Sequence, residues 1–134
     1  MSAARGGKLA PLLALALAGC RAPAPAVGTG SKEVVQTYFR ALIRSDWARA
    51  HAALEDQSRA RCAANRFADL AAIYRRGLGF EPEEVHVRSC EEHGDRAVAH
   101  VILTGRGKRY KDAVTLRRDG GVWGVVLPAR FGRN

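Results

Sequence analysis

The chain reads as an α+β domain: three N-terminal helices packed on one face of a curved antiparallel sheet of about four strands. Three observations carry this. From Ser31 to about residue 76, apolar residues recur at helical spacing. From about residue 85 the period falls to two, as strands require. Gly- and Asp-containing turn signals separate the period-two runs, so neighbouring strands return on one another. The 134 residues suit one compact domain plus a short extra segment, and 47% hydrophobic content is enough for a real core. No internal repeat is present.

Ser31 is a candidate N-cap, and Val34, Val35, Tyr38, Phe39, Leu42 and Ile43 then fall on one helical face. Ser45 is placed to cap a second helix, in which Trp47, Ala50, His51 and Leu54 keep the i, i+3, i+4, i+7 spacing. A third helix is expected over about residues 59–76, with Phe67, Leu70, Ala71 and Tyr74 on one side and Gly77 and Gly79 as its stop. Val85 and Val87 alternate with His86 and Arg88 in the first strand. The run from Arg96 to Thr104 is almost wholly apolar after its first residue, which suits a strand covered on at least one face. Tyr110, Val114 and Leu116 alternate with Lys111, Ala113, Thr115 and Arg117. Asp119-Gly120-Gly121 is a tight-turn signal before a last strand over 122–127, which Pro128 stops.

Upstream of this domain, Arg5 and Lys8 precede an uncharged run from Leu9 to Gly19. That run is about half of the roughly 20 residues needed to cross a bilayer core as a helix. A basic start, a short apolar stretch and small residues at its end are the parts of a secretory signal peptide. Leu17-Ala18-Gly19-Cys20 at its end resembles the lipobox of bacterial lipoproteins. The resemblance implies that residues 1–19 are removed and that the Cys20 thiol, a strong nucleophile, receives a diacylglyceryl group. Two acyl chains anchor firmly where one is marginal. Arg21, rather than an aspartate, follows the cysteine, which by the same likeness favours the periplasmic face of the outer membrane in an organism that has one. Residues 20–30 then form the lipidated cysteine and a Pro/Gly-rich tether. Ten extended residues reach roughly 30 Å, and the domain proper occupies 31–134.

The domain carries a second resemblance. "VVQTYFRALIRSDWARAHAAL" and "LRRDGGVWGVVLP" are similar to the opening and closing segments of nuclear-transport-factor-2-like domains. The likeness spans about residues 31–128 and implies a cone-shaped α+β roll. It also implies a choice of functions, because the family holds isomerases, dehydratases and cyclases beside non-enzymatic binding modules. Such rolls often dimerise through the outer face of the sheet, so a homodimer is one implied state. Its enzymes place an Asp, His or Tyr inside the cone. Tyr110 and Asp112 share the strand parity of Val114 and Leu116, so both are expected to point inward as base and hydrogen-bond donor. Position at the water-filled end of a strand is the alternative for Asp112. Tyr38, Trp47, Tyr74 and Tyr110 are the aromatic candidates to line a pocket.

The remaining polar residues point to less chemistry. His51 lies on the apolar face of its helix and reads as a satisfied, partly buried side chain. His86 and His100 sit on strands, and His93 in a turn; a zinc site needs three or four ligands at organised spacing, so neither metal nor cofactor is expected. Gly105 to Gly107 reads as a hairpin turn, since no helix follows to complete a phosphate cradle. With Cys20 lipidated, Cys62 and Cys90 remain as an even pair in an oxidising compartment. A bridge would close a 28-residue loop worth ~3 kcal/mol, although Cys90 shares the parity of His86 and Arg88 unless a bulge intervenes.

The chain carries 22 basic and 13 acidic residues, a net charge of +9, or +7 without Arg5 and Lys8. The basic residues are dispersed and not interleaved with aromatics, so nucleic acid is not an expected partner; attraction to anionic headgroups fits the anchor. The leading expectation is a membrane-anchored envelope lipoprotein whose roll binds a small apolar ligand or an envelope protein without catalysis. The alternative is a small isomerase- or dehydratase-type enzyme using Asp112 and Tyr110.

Overall fold

The computed structural model describes residues 30–133; the expected signal segment, Cys20 and the tether up to residue 29 lie outside the described residues. Four helices precede four strands: α1 (Ser31–Ile43), α2 (Trp47–Ala52), α3 (Asp56–Arg61), α4 (Ala64–Gly77), β1 (Glu84–His93), β2 (Arg96–Gly105), β3 (Lys108–Asp119) and β4 (Val122–Val126). The strands form one antiparallel meander in the order β1-β2-β3-β4. The helices cover one face of this curved sheet, as the two sequence periods predict.

Helix boundaries differ from expectation in detail. Gly30, not Ser31, is the N-cap of α1, and the Ser31 hydroxyl donates instead to the Glu92 carboxylate at 2.5 Å. Asp46 caps α2 by accepting from Arg49 N at 3.2 Å, while Ser45 takes a left-handed φ of 59° in the preceding turn. The single helix expected over 59–76 is two. Cys62 is extended between α3 and α4, with φ −137° and ψ 100°, and a break this short leaves no mark on the apolar spacing. α4 keeps the expected face, with Phe67, Leu70 and Ala71 buried and Tyr74 half-buried.

On the sheet, Ala97, Ala99, Val101 and Leu103 of β2 face the helices. Their partners across β3 are Leu116, Val114, Asp112 and Tyr110 in turn, so parity assigns both candidate site residues to the helix side. β1 carries a bulge between Val87 and Ser89, which shifts its parity. Cys90 therefore lies opposite Ala99, on the inner side, and Glu92 opposite Ala97. Arg106 and Gly107, then Gly120 and Gly121, supply paired positive φ angles at the β2–β3 and β3–β4 hairpins, and Gly94 has φ 64° in the β1–β2 turn.

The expected disulfide is absent: Cys62 and Cys90 are both free thiols. The bulge supplies the inward orientation that Cys90 needed, but the two cysteines sit in different surroundings. Cys90 Sγ donates to Ser31 Oγ at 3.3 Å, at the start of α1, whereas Cys62 is buried at the break between α3 and α4.

The free edge of β4 is covered by the chain between α2 and α3. Val125 N donates to Ala53 O and Glu55 N to Val125 O, each at 2.9 Å. This close approach needs Gly124, where an added Cβ would lie 2.5 Å from Glu55 Cα. Ser58, fully buried in α3, then receives Leu127 N on its hydroxyl at 2.9 Å. That bond aims the last residues back across the helices. Ser58→Ala leaves the Leu127 N–H buried without its partner and is expected to cost about 1–3 kcal/mol. A urea midpoint unchanged from the wild type contradicts this role.

Candidate functional site

The interior of the cone is built of aromatic rings. Tyr38 and Phe39 from α1 and Phe67 from α4 are each at most 2% exposed. Phe131, from the turn after β4, stacks on Phe67 with centroids 5.5 Å apart and on Tyr74 at 5.2 Å. Gly132 follows it with φ +70°, and a Cβ there would meet Leu70 O at 2.5 Å. The C-terminal turn thus presses flat against α4 and closes the inner part of the cone. An apolar ligand chamber at this level, expected from the sequence, is replaced by packed side chains.

Outside Phe131 an open cleft of about 240 Å³ remains, lined by Tyr74, Leu78, Tyr110, Asp112, Arg130 and Arg133 among others. α4 positions Tyr74 one helical turn beyond Leu70, and β3 positions Tyr110 and Asp112 two residues apart on its inner face. The Tyr74 hydroxyl donates to Asp112 Oδ2 at 2.7 Å. The other carboxylate oxygen, Oδ1, accepts from Ala113 N at 2.8 Å. The rings of Tyr74 and Tyr110 meet edge-to-face at 6.4 Å. Asp112 therefore points inward, half-buried, and its phenol partner is Tyr74 rather than the expected Tyr110.

Of the four aromatic candidates, Tyr74 and Tyr110 line this cleft and the other two do not. Tyr38 lies beneath it in the core, close enough for Asp112 to act on its hydroxyl. Trp47 sits half-buried in the first turn of α2 and packs against the core from there. His51 is satisfied, as expected, by a 2.7 Å contact from Nε2 to Cys62 O. His86, His93 and His100 are exposed, and no group of three or more His, Cys, Asp or Glu among the described residues is placed to hold a metal ion. Phe131 went unread in the sequence. Its only mark is one isolated aromatic among arginines after Pro128, too short a segment to show periodicity.

Burial, followed by the Asp112 charge, pushes the pKa of both Tyr74 and Tyr38 well above the usual phenol range. The unfolded chain releases these protons near pH 10, whereas the native state holds them. Their contribution to stability is therefore fully present below about pH 10 and falls as pH rises beyond it. In an alkaline titration, ionisation of these two tyrosines is expected only together with loss of the native circular dichroism. Phenolate absorbance from both in a still-folded chain contradicts the buried pair.

Comparison with known proteins follows the same geometry. A family described as "Putative lumazine-binding" matches residues 29–128. A crystal structure from Campylobacter jejuni, described as "Putative NTF2-like transpeptidase", superposes with a TM-score of 0.59 at 11% identity, covering 72% of this chain and 97% of its own. A SEC-C motif containing protein from Rhodopseudomonas palustris, solved in solution, gives 0.55 at 14% identity, covering 76% of this chain and 79% of its own. At such identities both speak to the fold alone. No curated protein matches the chain in sequence. With three quarters of its length matched, the chain belongs to the family described as "Putative lumazine-binding", and its fold is that of the NTF2-like neighbour.

Proposed function

We propose that the domain binds a small, flat, hydrogen-bonding ligand in the cleft at the mouth of the cone. The observation that carries this reading is the Asp112 carboxylate, held by Tyr74 at 2.7 Å inside an aromatic-walled cleft. Each carboxylate oxygen has two lone-pair directions, so Asp112 retains capacity to accept from a ligand N–H after its two protein bonds. Tyr110 is 40% exposed and offers a ring surface beside it, while Arg130 and Arg133 supply donors across the cleft. The volume of about 240 Å³ falls below the ~300–1,000 Å³ of sites for drug-sized ligands, which restricts the occupant to one or two fused rings. The family description names lumazine, a fused bicyclic heterocycle with N–H donors and carbonyl acceptors, and this is the ligand class we assign.

Binding is tested by titrating lumazine into the full chain and following its fluorescence. Saturable binding is expected, weakened about tenfold or more by Asp112→Asn, which exchanges an ionic acceptor for a neutral amide. Equal affinity of the two proteins overturns the reading. The Tyr74–Asp112 pair also suits a second reading, in which Asp112 is a base and Tyr74 a donor in an isomerase-type reaction. The same samples in D2O separate the two. Exchange of a carbon-bound ligand hydrogen with solvent, abolished by Asp112→Asn, supports catalysis; a ligand bound without exchange leaves the binding module.

The reading extends to location. We place the domain at a cell-envelope membrane, tethered through lipid on Cys20, on the strength of the basic start, the short apolar run and the Leu17-Ala18-Gly19-Cys20 motif. In this reading the anchor is the lipid on Cys20; no helix among the described residues is long and apolar enough to cross a membrane. In a bacterial host fed labelled palmitate, the wild-type chain is expected to take up label and fractionate with membranes. Cys20→Ala is expected to do neither. Label retained by that variant refutes the anchor.

A further inference from the structure

The sheet's outer face, opposite the cleft, holds a second depression, of about 360 Å³. Its polar side chains are Arg88, Ser89, His100 and Lys111, over a floor formed by Ile102. The bulge between Val87 and Ser89 builds it. Without that extra residue, Ser89 would share the inner parity of Val85 and Val87. With it, Ser89 lies directly opposite His100 on the outer face, and Arg88 is left without a cross-strand partner. Bulges re-aim side chains in this way. Lys111 pairs across β3 with Ile102 and is therefore diagonal to His100, within reach for side chains of this length.

The chemistry of this set is one-sided. Arg88 and Lys111 make no salt bridge among the described residues, whereas Arg49, Arg59, Arg75, Arg117 and Arg118 all do. Asp112 also lines the depression, with its carboxylate turned to the far side of the sheet, where it accepts from Tyr74. Glu84 lies on β1 beyond one end of the cluster, Glu91 stands opposite Val98 at the other, and His86 is in the next row opposite Ile102. Two cations, a hydroxyl and an imidazole thus converge on the outer face, and the one carboxylate beside them, Asp112, is bonded to Tyr74 on the helix side. Arg forks match the oxygens of phosphate and Lys supplies a point charge.

The geometry points to an oxyanion site for a phosphomonoester on this face. The depression is larger than a phosphate alone needs, and Ile102, with Val98 (41% exposed) two residues up β2 from His100, gives an apolar surface for the organic group attached to it. A soluble phosphomonoester and an anionic lipid headgroup present the same chemistry here. This inference is independent of the ligand assigned to the cleft, which lies on the other side of the sheet.

The test is an NMR titration of the full chain with phenyl phosphate at constant ionic strength. Saturable shifts are expected at the amides of Arg88, Ser89, His100 and Lys111. The double variant Arg88→Ala/Lys111→Ala, on the solvent side of the sheet, is expected to keep its folded spectrum and weaken binding about 10- to 100-fold. Vesicles of phosphatidylcholine with and without phosphatidic acid distinguish the source. Selective binding to the acidic vesicles, lost in the double variant, assigns a headgroup; phenyl phosphate binding without vesicle binding assigns a soluble ester. Shifts dispersed over the arginines of the whole surface overturn the site. So does a face buried in a dimer that excludes phenyl phosphate, seen by sedimentation.

Discussion

An antiparallel sheet covered on one side buries every second residue, and in this domain that alternation governs both core and site. Ala97, Ala99, Val101 and Leu103 set the inner face of β2, and their partners on β3 follow by register. Leu116 and Val114 complete the core, but the next two partners, Asp112 and Tyr110, are polar. The core therefore ends within β3, and its boundary is where a carboxylate can be held by protein yet still meet solvent. The same strand serves packing at one end and chemistry at the other without any change of backbone geometry.

The aromatic stack decides how much room that chemistry has. Tyr38, Phe67, Phe131 and Tyr74 are arranged from the core outward, and the chain leading to Phe131 is held at Leu127 by Ser58 and Arg61. Large rings bury area efficiently and leave few voids, so the inner cone holds side chains in place of a ligand chamber. What survives is a shallow polar cleft. The Asp112 charge meanwhile acts on two phenols from different helices, tying the cleft electrostatically to the centre of the domain.

Much of this was legible because it depends on local repetition. The apolar spacing of Val34, Val35, Tyr38 and Phe39 set the buried face of α1, and parity alone turned Asp112 and Tyr110 inward. Features resting on one residue or one distant bond were not. The split between α3 and α4 occupies about one residue at Cys62, the caps moved to Gly30 and Asp46, and the bulge beside Arg88 exists only relative to β2. The expected Cys62–Cys90 bridge failed for a related reason: cysteine count says that two thiols are available, while the fold puts one at the break after α3 and the other against Ser31. Trp47, a fair candidate for a pocket by type, was placed by α2 against the core instead.

By itself the sequence determined the order of helices and strands, the face each presents to the core, and the residue types at the cone's rim. Periodicity encodes these directly, because each element repeats the same choice between core and solvent. Only the tertiary structure decided that Tyr74 rather than Tyr110 holds Asp112, that Phe131 fills the inner cone, and that Arg88 joins His100 and Lys111 on the outer face. Each of these joins segments far apart in the chain through a single contact or a one-residue shift of register, and a local pattern has no term for either.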